Sequence, residues 1–250
     1  SGCFLIFAMV VIGGITRLTG SGLSITEWAP IMGAVPPLND QEWQEAFEKY
    51  KQIPQYEKIN AHFELQDFKA IFWWEFIHRL VGRLIGVVFL LPFIWFLITR
   101  QLDRAMTRKA LFLFALGGLQ GFLGWFMVKS GLTDRTDVSQ YRLVAHLAIA
   151  LLLLVVIVWT AATLSRSLRD GRDDASSARA GAPARSMFPT ALAFAALCAV
   201  TVLTGGFVAG LDAGRFFNTF PLMGGAFVPA DYMSLAPAWR NAFENPAAVQ

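Results

Sequence analysis

The sequence predicts an all-α polytopic membrane protein, built on a four-helix transmembrane bundle that starts to repeat towards the C-terminal end. Of 250 residues, 55% are hydrophobic and only 16% are charged, and the mean hydropathy is +0.49. A soluble domain carries about 25% charged residues. The apolar residues also stand in long blocks. This pattern excludes a disordered chain, a nucleic-acid-binding module and a disulfide-stapled secreted domain.

Charge and cysteine content point to no further partner. The formal net charge of +3 is too small to indicate an anionic partner, and we expect no nucleic acid. Cys3 and Cys198 each stand in an apolar block, which indicates neither a disulfide nor a zinc site.

Five apolar blocks are predicted to span the membrane, because a crossing helix needs about 20 mainly apolar residues. They cover residues 1–16, 71–98, 110–128, 141–164 and 187–209. The first block is short and lacks the basic start and the cleavage site of a signal peptide. We interpret it as a spanning helix whose N-terminal end has been cut off.

The loop charges predict the orientation. Loops 99–109 and 165–186 hold nine Lys and Arg in 33 residues, whereas loops 17–70, 129–140 and 210–250 hold nine in 107. The first pair is therefore expected in the cytoplasm and the long loops outside. Within the first outer loop, residues 39–52 read as a short amphipathic helix capped by Asn39 or Asp40, with Trp43, Phe47 and Tyr50 on one apolar stripe. That helix suits either the membrane surface or the mouth of the bundle.

A repeat is visible at an offset of about 190 residues. Gly13-Gly14 and a following Pro30-Ile31-Met32-Gly33 correspond to Gly205-Gly206 and Pro221-Leu222-Met223-Gly224. This predicts a first bundle at 1–164, a flexible cytoplasmic linker at 165–186 and the start of a second bundle at 187–250. The chain then reads as a fragment of a protein with about eight spans.

Two histidines lie at matching depth in two parallel spans. His78 is seven residues past the start of its span and His146 is five past the start of its own, roughly 10 Å and 8 Å below the outer boundary. Two imidazoles on different helices of one bundle are typical axial ligands of a haem iron. The alternative is that each histidine only packs or hydrogen-bonds. His62, in a polar loop, is expected to be a surface residue.

Three arginines lie near the same boundary. Arg79, Arg83 and Arg142 are candidates to neutralise haem propionates through charge-assisted hydrogen bonds, or alternatively to extend to the outer surface. Gly82 and Gly86 continue the stripe of His78 as a groove of bare backbone, which suits a flat macrocycle or plain helix packing.

Glu75 lies one turn outward of His78 on the same helix face. A carboxylate in an apolar wall beside a cofactor can move protons during chemistry. The alternative is an ion pair with Arg79 at i+4, which is the better interpretation for a protein that only carries electrons.

Four strings of the sequence together resemble the haem A synthase family, in its proteobacterial and mitochondrial branch. They read GGITRLTGSGLS at 13–24, EFIHR at 75–79, GLQGFLGW at 118–125 and YRLVAH at 141–146. The resemblance runs along essentially the whole chain and implies eight spans in two similar four-helix bundles.

The resemblance also implies an activity and site roles. The family oxidises a methyl group of haem O to a formyl group, which gives haem A for terminal oxidases. His78 and His146 match the N-terminal histidine pair that handles the substrate, and Glu75 matches the catalytic acid/base. The C-terminal pair that binds a haem b cofactor would lie beyond Gln250. Some bacterial relatives carry a cysteine pair in the outer loops, and this chain has none there.

The remaining implications concern the setting. The resemblance implies a multi-pass protein of the cell inner membrane, or of the mitochondrial inner membrane in a eukaryote. Its partners are the lipid bilayer, haem O synthase, a terminal oxidase and an electron donor or acceptor that the sequence does not identify.

A mechanism follows as a hypothesis. Haem O enters sideways from the lipid, His78 and His146 ligate its iron, and one methyl is oxidised to an alcohol, a hydrated aldehyde and a formyl group while Glu75 takes up protons. A di-haem b-type electron-transfer cytochrome is the main alternative. A transporter built from parallel repeats is a weaker alternative, because it predicts polar, broken helices at mid-membrane. The ionisable residues of these spans instead cluster near one surface.

Overall fold

The computed structural model describes residues 2–29, 32–170 and 181–250, and most of these residues are helical. The only β-type pairing among them is the isolated bridge between Met223 and Ala226. The principal helices are α1 (Gly2–Leu18), α2 (Asp40–Tyr50), α3 (Leu65–Ile98), α4 (Arg104–Asp134), α5 (Gln140–Asp170) and α6 (Gly181–Gly210). Two short helices, α7 (Asn241–Glu244) and α8 (Pro246–Val249), end the chain.

The long helices confirm the all-α polytopic membrane fold. In the described residues, four helices are long and apolar enough to cross a membrane: Leu65–Ile98, Arg104–Thr133, Gln140–Arg166 and Met187–Gly210. The first predicted span forms a shorter apolar helix, α1, of 17 residues, and its crossing of the membrane stays a prediction. Many apolar side chains of these helices are exposed, as expected of a surface that faces lipid.

The helices extend beyond the predicted spans at several places, and α4 exceeds its span by six residues at each end. α3 begins at Leu65, six residues before the predicted span, because Glu64 and Asp67 form a capping box in the polar segment ahead of it. The predicted linker at 165–186 is shorter in the structure, since α5 continues to Asp170 and α6 begins at Gly181. Residues 171–180 of that linker lie outside the described residues.

The first of two compact units, residues 1–154, contains the candidate site. α1 packs along α3, and α3 packs against α4, where the rings of Phe89 and Phe114 stack with centroids 6.4 Å apart. α4 meets α5 through a hydrogen bond from Arg142 to the hydroxyl of Ser130. At the outer end, Arg17 of α1 pairs with Asp137 of the α4–α5 connection at 2.8 Å. These contacts link α1, α3, α4 and α5 in one bundle.

The short helix α2 packs on the outer end of α3, at the bundle mouth. Trp43, Phe47 and Tyr50, the predicted apolar stripe, are all buried. Phe47 stacks on Phe68 of α3 at 5.2 Å between ring centroids, and Trp43 meets Phe72 edge-on at 4.9 Å. Asn39 caps the helix by accepting a hydrogen bond from the backbone N–H of Glu42. The amphipathic helix and its cap are thus confirmed.

The side chain of Tyr50 links the aromatic cluster between α2 and α3 to the residues that follow α1. Its hydroxyl donates to Gln55 Oε1 at 3.1 Å and accepts from Asn60 Nδ2 at 2.8 Å, and Gln55 in turn donates to the carbonyl of Gly20. Burial raises the pKa of Tyr50 above its ordinary value of 10.0, against the lowering effect of the Asn60 hydrogen bond. The phenol therefore stays neutral and available for both bonds.

The second unit, residues 155–250, contains α6 and the segment that follows it. Asn241 and Asn245 are buried there, and Asn245 Nδ2 donates to Asn241 Oδ1 at 2.9 Å. Among the described residues of the two matching strings, Met32–Ala34 forms a 3-10 helix whereas Met223 lies in the isolated bridge. The internal repeat therefore stays a prediction.

Candidate haem site

The two histidines of the predicted pair both lie in the first unit, His78 on α3 and His146 on α5. They are close enough to interact electrostatically. Both residues are partly buried. Both histidines of the predicted pair therefore lie in one compact unit, and their shared binding of one iron stays a prediction.

Each imidazole rests on a glycine of a neighbouring helix. A Cβ atom at Gly13 of α1 would lie 3.2 Å from His78 Nε2, and one at Gly124 of α4 would lie 3.1 Å from His146 Cε1. A side chain at either position would press on the ring. The glycines thus provide the space that each imidazole occupies.

We expect Gly13→Ala and Gly124→Ala to weaken haem binding by about 5-fold or more, because crowding by one methyl group costs about 1–3 kcal/mol. Gly14→Ala and Gly117→Ala are the matched controls, since a Cβ at either position has no atom within 4 Å. All four changes carry the same gain in helix propensity. Haem titration of the four purified variants measures the difference, and equal affinities would contradict the seating role.

The groove predicted below His78 is only partly open. A Cβ at Gly82 would lie 3.3 Å from Met9 Cε of α1, whereas a Cβ at Gly86 has no neighbour within 4 Å. At Gly82 the bare backbone therefore serves close packing of α1 on α3.

Glu75 is buried, with 2% of its surface exposed, and both its oxygens are engaged. Oε1 accepts from Arg79 Nη2 at 2.6 Å. Oε2 accepts from Ser24 Oγ and from the backbone N–H of Ile25, each at 2.7 Å. The ion pair considered as the alternative for Glu75 is therefore present, and the carboxylate also anchors the first outer loop to α3.

Arg79 holds the same loop. Besides Glu75, its guanidinium donates to the carbonyls of Ile25 at 2.9 Å and Glu27 at 3.0 Å, and it lies 5.6 Å from the ring centroid of Trp28. These contacts hold loop residues 25–28 against the N-terminal half of α3. The contact of Arg79 with a haem propionate stays a prediction.

The other two arginines also donate to protein acceptors. Arg83 Nη2 donates to the carbonyl of Ala29 at 3.2 Å. Arg142 donates to Ser130 Oγ and lies 4.7 Å from the ring centroid of Phe126. Propionate binding by Arg83 and Arg142 likewise stays a prediction.

One polar residue of the site was missed by sequence reasoning. Gln120 lies on α4 one turn before Gly124, and its side-chain nitrogen is 3.3 Å from His146 Nε2. Because glutamine is not ionisable, a search for charged residues in the spans passes over it. The available signal was an amide in the middle of an apolar span, within the string GLQGFLGW.

The two imidazoles suit a metal that a macrocycle already coordinates. The described residues contain no group of three or more His, Cys, Asp or Glu side chains that could bind a bare ion. Two imidazoles suffice when a porphyrin supplies the four equatorial nitrogens. His146 Nδ1 is buried and has no hydrogen-bond partner among the described residues.

The fold defines a class: a multi-pass helical membrane protein with two histidines on neighbouring helices of its first unit. A family model described as cytochrome oxidase assembly protein matches residues 1–250, and the chain belongs to that family.

Curated relatives are similar along nearly the whole chain. The chain is 49% identical to the heme A synthase of Parvibaculum lavamentivorans, over 98% of this chain and 68% of the relative. It is 51% identical to the heme A synthase of Nitrosospira multiformis, over 99% and 68%. For the heme A synthase of Rhodospirillum centenum the identity is 52%, over 98% and 63%. The chain thus spans about two thirds of these relatives' length. No solved structure matches it.

Proposed function

We propose that this protein is a haem A synthase, an oxidoreductase that converts a methyl group of haem O to the formyl group of haem A. The observation that carries the proposal is the histidine pair of α3 and α5 in a chain about half identical to curated heme A synthases. The multi-pass fold supports it, because a substrate with a long isoprenoid tail partitions into lipid and not into water.

His78 and His146 are proposed as the axial ligands of the iron of substrate haem O. The iron supplies the redox chemistry when the substrate is bound. The protein fixes the ring between two helices, and Gly13 and Gly124 let each imidazole sit against its neighbouring helix. Holding the substrate in one orientation selects which methyl group reacts.

Glu75 is proposed as the group that accepts protons released during methyl oxidation. It stands one turn outward of His78 on α3, and its three hydrogen bonds fix the carboxylate in place. These three bonds occupy three of the roughly four lone-pair sites of the carboxylate, so a site on Oε1 remains to accept a proton. Arg79, Arg83 and Arg142 are proposed to neutralise the substrate's propionates.

We also propose the cellular location, the substrate entry route and the partners of the protein. The protein resides in the cell inner membrane, and haem O enters laterally from the bilayer. It works with a haem b cofactor, haem O synthase, a terminal oxidase and an electron partner. No described residue is assigned to the haem b.

A second candidate function is a di-haem b-type cytochrome that only carries electrons. The observation that favours it is the Glu75–Arg79 ion pair at 2.6 Å, which gives Glu75 a structural role without any chemistry.

Pigment analysis separates the two functions. The protein is expressed in a host that makes haem O but no haem A. The extracted haems are then separated by chromatography and identified by mass spectrometry. We expect haem A to accumulate with the protein and to be absent with an empty vector. Haem b alone, despite full expression and haem O supply, would support the electron-transfer alternative.

A further inference from the structure

We propose that Gln120 masks the iron-binding nitrogen of His146 until haem arrives, and so acts as a positioning residue for haem loading. The inference rests on the proposed function, in which His146 is an axial ligand. It concerns a residue of the string GLQGFLGW that the proposed chemistry does not use.

The contact itself defines the tautomer. Gln120 Nε2 lies 3.3 Å from His146 Nε2. An amide nitrogen can only donate, so the imidazole Nε2 is the acceptor and carries a lone pair. The ring proton is then on Nδ1. This is the tautomer that binds iron through Nε2.

The same lone pair cannot serve two partners. When Nε2 accepts the hydrogen bond from Gln120, that lone pair is not available to iron, and when it binds iron the amide must turn away. Gln120 therefore has two effects: it presets the ligating tautomer of His146 and it competes with the incoming metal.

The surroundings hold the imidazole ring of His146 more firmly than the amide of Gln120. Gly124, one turn along α4, lies against the edge of the ring, with a Cβ position 3.1 Å from Cε1 and 3.8 Å from both nitrogens. The Gln120 carbonyl oxygen and His146 Nδ1 are both buried without a partner among the described residues. An unsatisfied amide oxygen of this kind gives the side chain a reason to move when a polar edge of the substrate becomes available.

The test is a haem titration of purified protein in lipid nanodiscs, with ferric haem O as the probe. Gln120→Met keeps the length and shape of the side chain and removes the donor. Gln120→Asn keeps an amide but shortens its reach. We expect both variants to bind haem about 2- to 10-fold tighter and faster than the wild type, because a net hydrogen bond no longer competes. The low-spin spectrum should be unchanged.

Gln41→Leu, on the exposed face of α2, is the control for loss of a glutamine and should leave haem affinity unchanged. Unchanged or weaker binding in both Gln120 variants, or conversion of the haem to a high-spin form, would overturn the proposal, because Gln120 would then be either irrelevant or a brace for the ligated ring.

The ligand role of His146 and the masking role of Gln120 can be tested separately. If His146→Ala binds haem as tightly as the wild type, His146 is not a ligand and the proposed site is wrong. If His146→Ala loses haem while Gln120→Met behaves as wild type, only the masking role is wrong. A mask also predicts that Gln120→Met has no effect on haem affinity in the His146→Ala background.

Discussion

Glu75→Gln is expected to bind haem O with the affinity of the wild type and to lose haem A formation by about 100-fold or more. Glutamine retains an oxygen that can accept from Ser24 or the Ile25 N–H, so the first outer loop keeps part of its anchor. It has no carboxylate to accept a proton, and general base catalysis typically contributes about 10²–10⁴-fold. Haem titration and haem A yield per bound haem are the two measurements.

Glu64→Gln is the matched control, because Glu64 is an exposed carboxylate at the start of the same helix. It should leave haem A yield intact. A Glu75→Gln protein that binds haem O and forms haem A at the full rate would show that Glu75 only anchors the loop. Poor haem binding by Glu75→Gln would show that the ion pair with Arg79 shapes the site.

His78→Ala and His146→Ala are each expected to lower haem affinity at least about 10-fold, since even indirect changes around a metal cost about 10–100-fold in affinity. The low-spin spectrum of the bound substrate should give way to a high-spin one. Titration with ferric haem O, followed by absorption and electron paramagnetic resonance, measures both effects.

His62→Ala is the control for loss of an imidazole, because His62 lies exposed in the first outer loop. Since two ligands of one iron act together, the double variant should be less impaired than the sum of the two single effects predicts. Strictly additive losses would indicate two independent haem sites.

Apolar patterning predicted most of the fold. Runs of apolar residues are visible in any one sequence, and the stripe of Trp43, Phe47 and Tyr50 gave the buried face of α2 before its partner on α3 was known. Helix ends were less well predicted. The start of α3 at Leu65 depends on the capping box of Glu64 and Asp67, which stands in a polar segment that a hydropathy pattern ignores.

The contacts between residues far apart in the sequence could not be predicted. The i+4 spacing predicted the Glu75–Arg79 ion pair, whereas the pairing of His78 and His146 on one iron stays a prediction. The bonds from Ser24 and Ile25 to Glu75 join residues about 50 positions apart, and the Arg17–Asp137 pair joins residues 120 apart. Such contacts depend on how a loop closes over the bundle, which no local spacing encodes.

The proposed function depends on one iron that both histidines bind. A cryo-electron microscopy map of the protein in nanodiscs, loaded with haem O, tests this directly. We predict density for one macrocycle between α3 and α5, with its iron bonded to Nε2 of His78 and Nε2 of His146. A haem bound to only one of these residues, or bound elsewhere with the two imidazoles still on their glycines, would contradict it.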